Sequence, residues 1–186
     1  SARALVVAAH ARRLRTQPVL YLVATDAVLD DVVDDVRFML QGLEGLADGV
    51  VERVVLPFPS LQVDPYRGLA PHFRAVSARA HALHALASSQ ARVVVASAAA
   101  LLPRLASPDE VRGLTTVVQP GQEIDPERLV EILSDGGFAR QDPVDEHGEF
   151  CLRGGILDVF AAGDDMPVRI EFVGDTVESI RRFDPA

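Results

Sequence analysis

The chain has 186 residues, a formal net charge of -9 and 18 basic residues, every one of them arginine. The absence of lysine excludes a Walker-type phosphate-gripping lysine, a Schiff-base lysine and a lysine general base. With 48% hydrophobic and 24% charged residues, the chain has the material for a packed core in one domain or two small ones.

The first half alternates helix and strand signals. Ala2 to Arg15 reads as a helix, with Leu5, Ala9 and Leu14 near one face and Arg12, Arg13 and Arg15 at its end, where the dipole favours cations. It lacks the apolar core and cleavage site of a signal peptide. Pro18 to Ala24 is an apolar run of the kind found in strands buried on both faces. Thr25 and Asp26 offer cap oxygens to a helix carrying Val28, Leu29, Val32, Val33, Val36, Met39 and Leu40, with Asp30, Asp31, Asp34 and Asp35 opposite. Gly42 and Gly45 weaken its end. Val51 to Leu56 is expected as a strand stopped by Pro57 and Pro59. Pro71 should open a helix carrying Val76, Leu83 and Leu86. Arg92 to Ala96 is a third buried strand, and Ser97 should cap a short helix ended by Pro103. Strands joined by helices imply a parallel sheet.

From Thr115 the pattern changes. Thr115 to Gln119 reads as a strand and Pro120-Gly121 as a turn. Asp125 caps a helix through Leu133, with Pro126 at its first position and Gly136-Gly137 at its end. Five extended segments follow: 138–144, 149–153, 156–160, 168–173 and 177–183. They suggest antiparallel strands on one helix, an α+β module. The expected domains are 1–113 and 114–186.

Charge divides in the same way. Residues 1–113 carry 12 Arg against 11 Asp and Glu, whereas residues 114–186 carry 6 against 16. The acidic second half suits a protein partner better than a phosphate backbone. One cysteine, Cys151, forms no internal disulfide and no cysteine-based zinc site, which points to a cytoplasmic setting. No apolar run reaches the roughly 20 residues of a membrane span.

Several clusters invite chemistry. Asp142, Asp145, Glu146, His147, Glu149 and Cys151 form the densest polar group, but they lack helical ligand spacing and a second His or Cys. A solvated hairpin turn at His147-Gly148 is the better reading, and nothing marks a carboxylate pair for acid-base work. His72, His81 and His84 share one helix without a carboxylate to complete a ligand set. Gly154-Gly155 is a weak phosphate signal, equally explained by a bulge or a close backbone approach. Val168 to Val173 alternates: Val168, Ile170 and Phe172 should be core, while Arg169, Glu171 and Val173 share the other face, which on pattern alone reads as ordinary solvated surface sooner than as a small contact site for a partner.

The segment from Gly148 to Phe160, GEFCLRGGILDVF, is followed by Pro167-Val168-Arg169-Ile170-Glu171-Phe172, Gly174-Asp175, Glu178-Ser179-Ile180-Arg181 and Phe183-Asp184-Pro185. Together they resemble the UvrA-binding domain shared by UvrB and the transcription-repair coupling factors (Mfd), over about Thr115 to Ala186. Asp64-Pro65-Tyr66, Pro71-His72, Ser77, Arg79 and the stretch Ser97 to Leu105 resemble the coupling factors more than UvrB, with Ala70 in place of a serine. The resemblance implies a degenerate, helicase-like (RecA-type) α/β domain that binds no ATP, then a UvrB-type α+β interaction domain. It implies no catalytic residue, cofactor or metal in this stretch. UvrA is the implied partner, and the remainder of such a protein would reach RNA polymerase and DNA to recruit nucleotide excision repair. The positions associated with UvrA contact fall on Arg153, Arg169 and Val173, the valine standing where the family has an aromatic. The alternative is a UvrB-type helicase subunit contributing to ATP and damaged-DNA binding.

Overall fold

The computed structural model describes residues 1–61, 71–161, 164 and 166–185. The motif Asp64-Pro65-Tyr66 and Ala70 lie outside them. The chain forms two compact units, Ser1–Arg112 and Gly113–Ala186.

In the first unit, β1 (Val19–Val23), β2 (Val55–Phe58) and β3 (Val93–Ser97) form a parallel sheet in the order β1-β3-β2. β3 is central and buried along its whole length, because neighbouring strands and helices cover both its faces. One face packs on α1 (Ala2–Arg13) and α2 (Leu29–Glu44), the other on α4 (Phe73–Ala87). Arg92 ties three of these elements together. Its guanidinium donates to both carboxylate oxygens of Glu44 at 2.6 and 2.7 Å and to the Ala11 carbonyl at 2.9 Å. That bond holds the Glu44 carboxyl below its ordinary range.

Several expectations for this unit need correcting. α1 buries Ala4, Val7, Ala8 and Ala11, not Leu5 and Leu14, because small residues let it lie close to α2. β1 is an edge strand whose Leu20 and Leu22 are exposed, so it is not buried on both faces: α4 covers β2 and β3 but leaves β1 open. Residues 48–54 form a helix, α3 (Asp48–Val54), and the strand begins only at Val55. The valines there favour a strand by propensity, but packing of Val51 into the core overrides it. Pro57 lies within β2, which tolerates it as an edge strand. Thr25 makes no capping bond to α2. Asp26 instead accepts from the Ser60 backbone N–H at 2.9 Å and from its hydroxyl. Gly45 closes α2 in the left-handed conformation, where glycine carries no Cβ penalty. α4 starts at Phe73 with His72 as its cap, and it buries Arg79, Ala82 and Ala85 rather than Val76 and Leu86. Arg79 donates to the carbonyls of Pro59 (2.9 Å) and Ala100 (3.0 Å) and lies 4.1 Å over the Phe58 ring. Ser97 does not cap the short 3-10 turn at Ala98–Leu101. A capping box between Ser107 and Glu110 starts α5 (Pro108–Gly113), which the sequence reading missed.

The second unit is a five-stranded sheet packed on one helix, α6 (Pro126–Asp135). Asp125 caps α6 by accepting from the Glu127 N–H at 2.9 Å, with Pro126 in the first turn, as expected. The strands run in the order β4 (Ala139–Arg140), β5 (Glu149–Arg153), β6 (Ile156–Phe160), β7 (Val168–Val173), β8 (Thr176–Arg182). β5 to β8 are antiparallel neighbours, but β4 is a two-residue strand parallel to β5, not the long antiparallel segment expected over 138–144. Thr115 to Gln119 is not a strand. The chain meets β8 only after the Pro120-Gly121 turn, where Gly121 N–H reaches the Val177 carbonyl at 2.7 Å and Glu123 bridges Thr176. Proline has no N–H to lend a ladder, which delays pairing until the turn is passed.

Leu129, Phe150, Leu157, Ile170, Phe172 and Val177 form the core between α6 and the sheet. The β7–β8 register skips Glu178, so Val177 and Ile180 both serve this core despite their odd spacing.

Candidate functional site

The opposite face of the second unit's sheet carries the charged residues. Strand pairing places Cys151, Asp158, Arg169 and Arg181 in one row across β5, β6, β7 and β8. The next row holds Arg153, Ile156, Glu171 and Ser179. Directly opposed residues in an antiparallel pair share a face, so side chains from all four strands meet here.

Asp158 is the hub. Its side chain is only 3% exposed, and an ionised carboxylate at that depth needs partners. Arg169, directly opposite on β7, supplies two: Nε and Nη2 donate to Oδ1 and Oδ2, each at 2.7 Å. This is the bidentate fork that arginine makes and lysine cannot. The bond holds the Arg169 guanidinium above its ordinary range. The Phe183 ring lies 4.7 Å from the same guanidinium. Arg153, at the end of β5, reaches Asp158 with Nη2 at 3.3 Å and Asp142 with Nη1 at 3.0 Å. The two sequence-chosen arginines thus converge on one buried carboxylate. Arg169 is 27% exposed and Arg153 53% exposed, so both also reach solvent.

Val173 ends β7 on the same face at 65% exposure, beside the Gly174-Asp175 turn, where Gly174 adopts φ +61°. It lies four residues along the strand from Arg169, on the order of 13 Å at strand rise. The face therefore has a charged centre with an apolar residue at one end.

Gly154-Gly155, between β5 and β6, serves backbone packing. The Phe172 N–H donates to the Gly155 carbonyl at 2.7 Å, and a Cβ on Gly155 would lie 2.7 Å from the Phe172 carbonyl oxygen. The close-approach reading of this pair is the one the geometry supports.

The polar cluster at 142–151 is a turn, though not a hairpin, since β4 and β5 run parallel. Glu149 accepts from the backbone N–H groups of Asp145 and Glu146. His147 lies against the Phe160 ring at 3.9 Å, and Cys151 is buried with Val144 and Phe160. In the other unit, His72 caps α4, His81 is exposed, and His84 buries its Nδ1. Among the described residues no group of His, Cys, Asp and Glu is arranged to hold a metal ion. No helix among them is long and apolar enough to cross a membrane.

Asp158, Arg181 and Phe183 complete the face with Glu171 and were not singled out from the sequence as its working parts. Part of the signal for Asp158 was present: Ile156-Asp158-Phe160 alternates against Leu157 and Val159, which puts a lone acid on the face away from the core, while its place opposite Arg169 comes from strand register.

Comparison with known proteins identifies the family of this unit and of the chain. Residues 117–186 match the UvrB interaction domain. The chain is 34% identical over 90% of its length to a transcription-repair-coupling factor of Myxococcus xanthus, and 34% identical over its whole length to one of Mycobacterium bovis. It is also 37% identical over half its length to UvrABC system protein B of Agathobacter rectalis. It spans 14% of each of these three proteins. These coupling-factor matches cover nine-tenths or more of the chain, and the chain belongs to the transcription-repair coupling factor family.

Proposed function

We propose that this stretch of a coupling factor is a non-catalytic adaptor that docks on UvrA through Arg153, Arg169 and Val173, and so brings nucleotide excision repair to a stalled RNA polymerase. The observation that carries this reading is the convergence of both arginines on Asp158. A buried carboxylate holds two part-exposed guanidinium groups in place before any partner arrives, and such preorganisation lowers the ordering cost of binding. Desolvated arginines are frequent anchors of protein interfaces.

Residues 114–186 are the docking domain in this reading. Residues 1–113 are a helicase-like domain that has given up ATP, which the parallel sheet and the lack of lysine both support. Contacts with RNA polymerase and DNA belong to the rest of the polypeptide, and the setting is the cytoplasm. An arginine-selective reagent such as phenylglyoxal tests the face: saturating UvrA should protect Arg153 and Arg169 but not Arg128 on α6. Equal modification of all three with and without UvrA would reject the assignment.

The match to UvrABC system protein B favours one alternative, a helicase subunit that contributes to ATP and damaged-DNA binding. A fluorescent ATP analogue separates the two. The adaptor reading expects no saturable binding to this chain, and the helicase reading expects saturation.

A further inference from the structure

Three arginines, Arg153, Arg169 and Arg181, lie on this face of the sheet, and they are not equally free to bind. Arg169 has two of its three nitrogens fixed by Asp158 and is only 27% exposed. Arg153 has both terminal nitrogens engaged, one by Asp158 and one by Asp142. Arg181 is different. It sits directly opposite Arg169 on β8 and is 57% exposed. Only its Nη2 is engaged, by Glu171, and it makes no other hydrogen bond among the described residues. Glu171 is itself held by the Ser179 hydroxyl at 2.7 Å, so Arg181 rests on an ordered acid.

Like charges directly opposite one another repel across a strand pair. Arg169 and Arg181 occupy such a pair, with Asp158 flanking one and Glu171 the other. The acids neutralise the centre of the row and leave Arg181 as the guanidinium with the most donors to spare, at the edge strand of the sheet. The module around it is acidic, with 6 Arg against 16 Asp and Glu in residues 114–186. An exposed arginine row on such a background selects a partner surface bearing carboxylates and disfavours phosphate polyanions.

We infer that Arg181 makes the outermost charged contact of the docking face, forking onto a carboxylate of UvrA, with Glu171, itself held by Ser179, setting its position. This rests on the UvrA-docking reading and extends the contact face from β5 and β7 to β8.

The experiment titrates purified UvrA with the whole chain at several salt concentrations. Arg181→Ala should weaken affinity about tenfold, the scale of one interface hot spot, and flatten the salt dependence. Arg181→Lys should restore the salt dependence but not the full affinity, because lysine keeps the charge and lacks the fork. Thermal melting by circular dichroism should be unchanged, since exposed ion pairs contribute little to stability. Arg181→Met, which keeps the aliphatic stem, replaces the alanine variant if that one melts early. Unchanged affinity in the Arg181 variants, with Arg153→Ala and Arg169→Ala still weakened, overturns this inference and leaves the docking reading standing. Unchanged affinity in all of them overturns both.

Discussion

Removing Arg169 should cost more than the loss of a surface ion pair, and the Asp158–Arg169 geometry gives the size. Asp158 is 3% exposed and receives two bonds of 2.7 Å from Arg169 and one of 3.3 Å from Arg153. Arg169→Ala leaves a buried carboxylate with one long contact. Breaking a buried pair from one side costs about 3 to 5 kcal/mol, and the surviving Arg153 contact places this case near 3. Asp158→Ala should cost less, about 1 to 2 kcal/mol, because Arg169 is already part-exposed and can turn to water. The double variant leaves no orphan charge, so its cost should fall short of the sum by about 2 kcal/mol. Hydrogen exchange of the β6 and β7 amides in the intact chain reads this unit separately from the other. A coupling below roughly 0.5 kcal/mol would refute the view of Asp158 as the hub.

Other consequences are testable alongside. Gly155→Ala should destabilise the second unit by about 1 to 3 kcal/mol through the collision with the Phe172 carbonyl, read as lost exchange protection in β5 and β7. The Glu44 carboxyl is depressed in the folded state, first by its hydrogen bond to Arg92 and then by nearby arginine charge. Its stabilising contribution is therefore fully present above the ordinary value of 4.5 and is lost as pH falls through the lower folded value. Urea midpoints at pH 6 and pH 3 should differ less in Glu44→Gln than in the parent. Val173→Phe restores the aromatic that the resemblance places there, and the added apolar surface should raise affinity for UvrA by about 1 kcal/mol, read by titration.

Where local pattern and tertiary position agree, the sequence foretells the structure. β5 to β8 read correctly because each has alternating or apolar residues between turn residues, and α6 reads correctly because Asp125 and Pro126 mark its start. The face shared by Arg169 and Val173 follows from period two alone. The misses share a cause. β1 is as apolar as a central strand, and only its place at the sheet edge exposes Leu20 and Leu22. Residues 50–54 hold three valines, yet Val51 packs from a helix. Asp158 escaped notice because a lone acid in a strand gains its meaning from the strand beside it. Arg181 acquires its role only through the register that sets it against Arg169. Such features depend on pairing between distant segments, which local spacing does not encode.

The central claim is that this face docks UvrA through arginines held by Asp158. Calorimetric titration of UvrA with the parent chain and with the Arg153→Ala/Arg169→Ala double variant tests it most directly. The account predicts that the parent binds and that the double variant binds at least about a hundredfold more weakly, two hot-spot losses together. Equal affinity of the two chains would contradict it.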